Sequence, residues 1–270
     1  GAVRVTISTA QHAGEPMVLP ATFYEQATVL LERCNVSGFE VTQSFQTNAT
    51  LVNDAWCEFI RRRGVQVGVS VDGPDFLNDR HRVTRQGRGT LDRVLRGMRL
   101  LRDYEIPFDV ITVLTSTSLD YPDELFDFYM EHSLTSVAFN VEEIEGPHVT
   151  SSLSGSGVES RFRRFYSRFM DLALAADPPL RVREFDSAHN SVSYRQPPEM
   201  RTQECRPFAI LNVDYEGNFS TYSPELLGLS SPRHGSFVLG NVAQASLDSV
   251  LTMPRFLALD DEIRRGVDLC

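Results

Sequence analysis

The sequence predicts an α/β protein: a parallel sheet or partial parallel (β/α) barrel, followed by a small hairpin region. Short β-branched apolar runs begin near residues 3, 40, 66, 108 and 136, with helical stretches between them, the rhythm of parallel βα units. Beyond about residue 195 the texture changes to short alternating segments and turns, which places the barrel in 1–195 and an appended region in 196–270. At 270 residues, 41% of them apolar, the chain can bury a full core as one large domain with a small appendage.

Val3–Ile7 alternates apolar and polar residues and reads as the first strand. It runs to His12-Ala13-Gly14-Glu15-Pro16, ahead of a helix from about Ala21 to Arg33. Glu40–Thr47 is the next strand, closed by Gln46-Thr47-Asn48-Ala49-Thr50. Asn53 or Asp54 then caps a helix bearing Trp56, Phe59 and Ile60. Cys57 lies beside that apolar side and reads as a small core hydrophobe, as does Cys34. Gln66–Val71 has the composition of a buried strand, and Asp72-Gly73-Pro74 stops it with Ser70 and Asp72 at its carboxyl end. A basic loop follows (Arg80, His81, Arg82, Arg85, Arg88), then a helix from near Thr90 with Leu91, Val94, Leu95, Met98 and Leu101 on one face.

Phe108–Leu114 and Ser136–Val141 are further strands, separated by a helix over Tyr121–Glu131 with Pro122 in its first turn. The segment from His148 to Gly157 is a loop rich in Ser, Thr and Gly. The long helix beyond it carries Phe162, Phe165, Tyr166, Phe169 and Met170 at helical spacing, a core stripe, and ends at Asp177-Pro178-Pro179. Ala209–Asp214 and Asn218–Thr221 form a hairpin about Tyr215-Glu216-Gly217; Phe237–Gly240 is a further short segment, and two short helices complete the chain.

Several function classes lose support. No run of about 18 apolar residues occurs, so no membrane span is expected, and no signal-peptide pattern opens the chain. A net charge of −10, read with no basic tract, argues against nucleic acid as the main partner. The four cysteines, Cys34, Cys57, Cys205 and Cys270, complete no CxxC, which fits a reduced, cytoplasmic setting. No GxGxxG or P-loop is present. All 26 basic residues are arginine and none is lysine, a bias we ascribe to codon usage. It removes Schiff-base chemistry, and no H-x-x-x-H pair occurs, which weakens an unrelated aldolase or hydrolase barrel.

HAGEPMVLPATFY, SFQTNATLVNDAWCEF, VGVSVDGP with NDRHR and GRGTLDRV, and FNVEEIEG together resemble the radical S-adenosylmethionine (SAM) enzymes of the SPASM group. These are peptide and protein maturases that include the anaerobic sulfatase-maturating enzymes. Ala13 stands in place of the first glycine of the family's GGEP stretch. CRPFAILNVDYEGNFSTYSPELLG, FVLGNV and EIRRGVDLC resemble the SPASM entry, closest to maturases of glycine-rich-repeat and cyclophane-forming peptides.

The resemblance implies a radical SAM-type partial barrel with a SPASM-like region, SAM and [4Fe-4S] clusters as cofactors, and post-translational modification of a ribosomally synthesised peptide by side-chain crosslinking or oxidation. The implied chemistry is reductive SAM cleavage, hydrogen abstraction, and oxidation of the substrate radical through an auxiliary cluster. Implied partners are a precursor peptide and an electron donor such as flavodoxin or ferredoxin. By resemblance Gly14 and Glu15 hold the amino group of SAM, Gln46 and Asn48 face the same pocket, Ser70 contacts its ribose or carboxylate, and Arg82 pairs with the carboxylate, which a planar guanidinium suits. Cys205 and Cys270 match cluster-ligand positions; Glu142 and Glu143 lie near the site; Asp214, Glu225 and Glu142 are candidates for the general base.

Two departures matter. No CxxxCxxC precedes His12, and Tyr222-Ser223 stands where sulfatase-maturating members have a Cys-Asp pair. A four-iron cluster takes three or four thiolates, so this chain by itself is not expected to hold the SAM-cleaving cluster. The expectation is a piece of a longer enzyme; the alternative is a cluster-free peptide-binding or SAM-binding pseudo-enzyme.

Overall fold

The computed structural model describes residues 6–11, 14–144, 150–193 and 203–269. In order, the elements are β1 (Thr6–Gln11), α1 (Ala21–Cys34), β2 (Glu40–Thr47), α2 (Asp54–Arg63), β3 (Gln66–Ser70), α3 (Asp75–His81) and α4 (Leu91–Asp103). They continue as β4 (Phe108–Leu114), α5 (Pro122–Glu131), β5 (Ser136–Val141), α6 (Val158–Ala175), β6 (Arg181–Val182) and α7 (Arg183–Ser193). Shorter elements follow: β7 (Leu211–Val213), β8 (Asn218–Thr221), β9 (Ser230–Ser231), β10 (Gly235–Ser236), β11 (Gly240–Asn241), α8 (Leu247–Leu251) and α9 (Pro254–Leu269). The described residues fall into two compact units, one drawn from Gly1–Glu143 and Thr150–Ala188, the other from Ile144–Val149 and His189–Cys270.

In the first unit β1 to β6 lie side by side in chain order, and every described pairing among them is parallel. The order never reverses, so this is the wall of a partial barrel and not a doubly wound sheet. Register places Gln46 beside Gly68 and Ser70 beside Ile111. Alternation then separates two faces. Val67, Val69, Val110, Thr112, Leu114, Val137 and Phe139 are buried on one. The other carries Gln46, Gly68, Ser70, Asp109 and Asn140, all more accessible.

The buried face packs with Trp56, Phe59 and Ile60 of α2, Val94, Met98 and Leu101 of α4, Leu125 and Tyr129 of α5, and Phe165 and Phe169 of α6 in one apolar core. Each such side chain contributes about 1.5–3 kcal/mol by leaving water. A polar pair within this core, Thr112 and Tyr129, is fully bonded. Thr112 donates to the Val71 carbonyl at 2.6 Å, so the Tyr129 hydroxyl, 2.6 Å away, must donate to Thr112. Of the two candidate caps of α2, Asn53 takes the role, accepting the Trp56 N–H at 3.1 Å.

Some expectations change. The first described strand is Thr6–Gln11, later than Val3–Ile7, of which Val3 to Val5 fall outside the described residues. Asp75–His81, expected as loop, is helical, because Asp72-Gly73-Pro74 ends the strand and Pro74 starts a turn whose carbonyl accepts the N–H groups of Leu77 and Asn78. Met170 is 41% exposed, since Phe165 and Phe169 already fill the seam between α6 and the sheet. The last helix is long, 16 residues. β6 and α7 were not legible: β6 is two residues, and α7 is polar along most of its length.

Because β6 is so short, β5 outruns it, and side chains take over the ladder. Glu184 Oε2 accepts the Phe139 N–H at 3.0 Å, and Arg183 Nη2 donates to the Phe139 carbonyl at 2.9 Å and to Asn140 Oδ1 at 2.8 Å.

In the second unit β11, β8 and β7 form an antiparallel sheet. Phe219, Tyr222, Leu239, Val250 and Phe256 are buried together there. No helix among the described residues is long and apolar enough to cross a membrane.

Cys57 is wholly buried, and burial, with the nearby Asp54 charge, pushes its thiol up to about 11; Cys34 is exposed. Iodoacetamide applied to the native protein at mildly alkaline pH should therefore modify Cys34 and spare Cys57 until denaturant is added, as read by peptide mass spectrometry. Prompt native labelling of Cys57 would contradict the packing of α2.

Candidate functional site

The polar loops gather at the carboxyl ends of β1 to β5. Glu15, just past β1, caps its own short turn and is bonded to the end of β2. Its Oε1 accepts the Met17 N–H at 3.1 Å and the Thr47 hydroxyl at 2.7 Å, and its Oε2 accepts the Asn48 N–H at 2.8 Å. A carboxylate has about four acceptor positions, so Glu15 braces the loop and keeps one position for a further donor. Gly14 beside it has φ +78° and nothing within 4 Å of where a Cβ would stand. His12 and Ala13 lie outside the described residues.

Gln46 reaches across to β3, donating from Nε2 to Ser70 Oγ at 2.8 Å. Gly68 permits this, because a Cβ there would meet Gln46 Oε1 at 2.1 Å. Asn48 turns its Oδ1 inward, accepting the Thr50 N–H at 3.0 Å and the Thr50 hydroxyl at 2.7 Å. It shapes the loop.

Asp72 is 8% exposed and accepts from three groups: Arg82 Nε at 2.7 Å, Arg82 Nη2 at 3.0 Å, and the Val113 N–H at 2.9 Å. Its own N–H donates to Asn78 Oδ1 at 3.1 Å. Arg82, assigned by resemblance to a ligand carboxylate, thus lays one edge of its guanidinium along an internal one. Asp79 continues the structure, accepting the N–H groups of Thr90 and Leu91, each at 2.9 Å, at the start of α4. Gly89 is required beside it, because a Cβ there would meet Asp79 Oδ2 at 2.0 Å. Sequence reasoning gave Asn78, Asp79, Gly68 and Gly89 no roles. The two glycines were visible as strand and loop interruptions; the polar pair had no spacing signal. A narrow crevice beside this knot is lined by Asp72, Arg80, His81, Val113, Thr115 and Ser118.

At the end of β5, Glu142 Oε2 accepts the Ser152 N–H and hydroxyl, both at 2.6 Å, and the Ser151 hydroxyl at 3.1 Å. Burial pushes its carboxyl up, but the Ser152 and Ser151 donors more than reverse this and hold it below the usual range. Glu143 is exposed. A carboxyl held low in this way makes Glu142 a weak proton acceptor.

The second unit holds the other candidates. Asp214 closes the hairpin turn, accepting the N–H groups of Glu216 and Asn218, each at 2.9 Å, and Asn218 Nδ2 at 3.0 Å. These bonds outweigh desolvation and lower its carboxyl, which makes it a weak proton acceptor. Glu225 lies in the turn Pro224–Leu226. Cys205 is half-buried, and Cys270 lies outside the described residues. Among the described residues no three His, Cys, Asp or Glu side chains are grouped to hold a metal. Tyr222 is 2% exposed and donates its hydroxyl to Asp260 at 2.9 Å, packed as a core residue.

Residues 2–129 match the sequence model of the radical SAM superfamily. The chain carries a radical SAM domain. It is homologous to anaerobic sulfatase-maturating enzymes, being 31% identical to the serine-type enzyme of Bacteroides thetaiotaomicron over 150 residues, 53% of this chain and 36% of that protein. A Synechocystis protein, sll1766, is 41% identical over 263 residues, 96% of this chain and 66% of its own length. Among solved structures, anSMEcpe with bound AdoMet and the Kp18Cys peptide superposes with TM-score 0.77 at 20% identity, covering 94% of this chain and 68% of that one. Streptococcus suis SuiB bound to precursor peptide SuiA gives 0.63 at 13%, covering 94% and 56%. At these identities the likeness is one of fold, and the residues that match the radical SAM model include β1 to β4 of the parallel sheet in the first unit.

Asp72→Ala should destabilise the protein by about 3 kcal/mol in urea unfolding, because it leaves Arg82 half-buried without its partner. The Glu142 clasp has a pH window. A carboxyl lowered in the folded state stabilises fully above its ordinary 4.5 and loses that contribution as pH falls through the folded value. The protection of the Ser152 amide against hydrogen exchange, taken relative to its intrinsic rate at each pH, should fall below that pH in wild type, and be lost already at neutral pH in Glu142→Ala.

Proposed function

We propose that this chain is the SAM-binding barrel of a radical SAM maturase that crosslinks or oxidises side chains of a ribosomally synthesised peptide. The observation that supports this most is the convergence of Glu15, Gln46 and Ser70 at the carboxyl ends of β1, β2 and β3 inside a radical SAM domain. SAM, once bound and reduced, supplies a hydrogen-abstracting radical. The chain's part is to hold it.

Gly14 leaves backbone open to the methionine end, and Glu15 offers its remaining acceptor position to an ammonium. Ser70 accepts from Gln46, so its own O–H is directed elsewhere, as a donor to the SAM carboxylate or ribose. Gln46 therefore fixes the polarity of Ser70. Arg82 keeps guanidinium N–H groups beyond those on Asp72, in reach of an anionic group at the same rim. Asn48 orders the loop beneath.

The iron–sulfur clusters need a ligand set that the described residues do not contain. The chain spans 66% of its Synechocystis relative, and we place the SAM-cluster ligands in the remaining length of a longer enzyme. Cys205 and Cys270 stay as proposed auxiliary-cluster ligands, with Tyr222 in place of a third. Of the proposed bases, Glu225 alone has no hydrogen-bonded partner among the described residues, and we prefer it. The partners we assign are a precursor peptide and a flavodoxin- or ferredoxin-type reductant, in the cytoplasm.

Calorimetric titration with SAM tests this. Ser70→Ala should weaken binding about tenfold, the scale of one hydrogen bond to a charged group. Gly68→Ala should do the same by driving Gln46 off Ser70. Absence of SAM binding by a cysteine-complete, iron-reconstituted form would sink the assignment, whereas binding without release of 5′-deoxyadenosine under a reductant would leave a SAM-binding module.

A further inference from the structure

Charge in this chain is segregated. Eight of the 26 arginines lie between Arg80 and Arg102, a stretch with one acid, Asp92, in a protein of net charge −10. Arg80, Arg85, Arg88, Arg93, Arg96 and Arg99 are exposed. Among the described residues none of the six forms an ion pair, whereas most of the described arginines outside this stretch do. Arg82 is occupied by Asp72, and Arg102 donates to the His132 carbonyl at the end of α5, where burial lowers its guanidinium. Glu131 lines a crevice with Arg99 and Arg102 but makes no ion pair with them.

The arrangement is a stripe. Along α4 the arginines recur every third residue, so like charges stand as i,i+3 neighbours, which is unfavourable for an isolated helix. Each step falls about 60° short of a full turn, so the row winds round α4 while advancing about 14 Å from Arg93 to Arg102. Its other end is the loop bearing Arg85 and Arg88, and then Arg80 and His81, which line the crevice at the carboxyl ends of β3 and β4. A narrow positive track that leads to the catalytic rim fits an extended acidic chain better than a compact partner.

We propose that this stripe docks an acidic segment of the peptide on which the enzyme acts, and so delivers the remainder of that peptide to the carboxyl rim. This rests on the peptide-substrate reading and adds the chemistry of recognition. Complementary charge relieves the repulsion along α4, and the attraction is screened by salt.

The test uses the full chain and a short fluorescent peptide alternating Glu and Ser, followed by anisotropy. Arg93→Gln, Arg96→Gln and Arg99→Gln combined keep good helix formers on α4. They should weaken the probe about tenfold or more, as should high salt, while Arg163→Gln with Arg164→Gln on α6 leaves it unchanged. Circular dichroism and SAM affinity should match wild type in both variants. Equal probe affinity in the α4 variant overturns the proposal, as does tighter binding of an oligonucleotide of equal charge. Loss of a reductant protein's binding with the peptide probe unaffected overturns it too. Because SAM affinity is read separately, failure here is distinct from failure of the maturase assignment.

Discussion

The carboxyl rim depends on one buried carboxylate. Asp72 sits at the end of β3 in surroundings that would penalise an isolated charge by several kcal/mol. The penalty is met by the Arg82 guanidinium and the Val113 N–H. Those partners come from the segment after α3 and from β4, so satisfying one side chain fixes three elements relative to each other. Asn78 holds the Asp72 backbone, and its neighbour Asp79 holds the start of α4. The run from Asp72 to Leu91 is a single polar lattice laid over the apolar core.

The same economy governs the other loops. Most polar side chains at the rim are held by the protein itself: Glu15 by three donors, Asn48 by Thr50, Glu142 by Ser151 and Ser152. Few are left with capacity pointing outward, and Ser70 is the clearest, because Gln46 donates to it. A site of this type recognises its ligand with a handful of groups whose directions are already set, which limits the reorganisation needed on binding.

The β-branched runs at Gln66–Ser70, Phe108–Leu114 and Ser136–Val141, the Asn53 cap and the helical spacing of Val94, Met98 and Leu101 were legible because burial imposes a period that composition reveals. The placement of Glu15, Gln46 and Ser70 at strand ends was legible too. Their internal partners were not. Whether Arg82 faces a ligand or Asp72 is decided by distances between residues ten apart, on which residue type is silent. Tyr222 likewise reads in the sequence only as standing in place of a cysteine, and its burial in an apolar core is set by residues far along the chain.

At the far edge of the sheet, Arg183 and Glu184 occupy the N–H and C=O of Phe139 with their side chains. The edge therefore ends in a chemical stop. Backbone groups that could template a neighbouring molecule are already engaged, and two charges stand where an incoming strand would have to lie. The end of β5 that outruns β6 is in this way closed to an added strand.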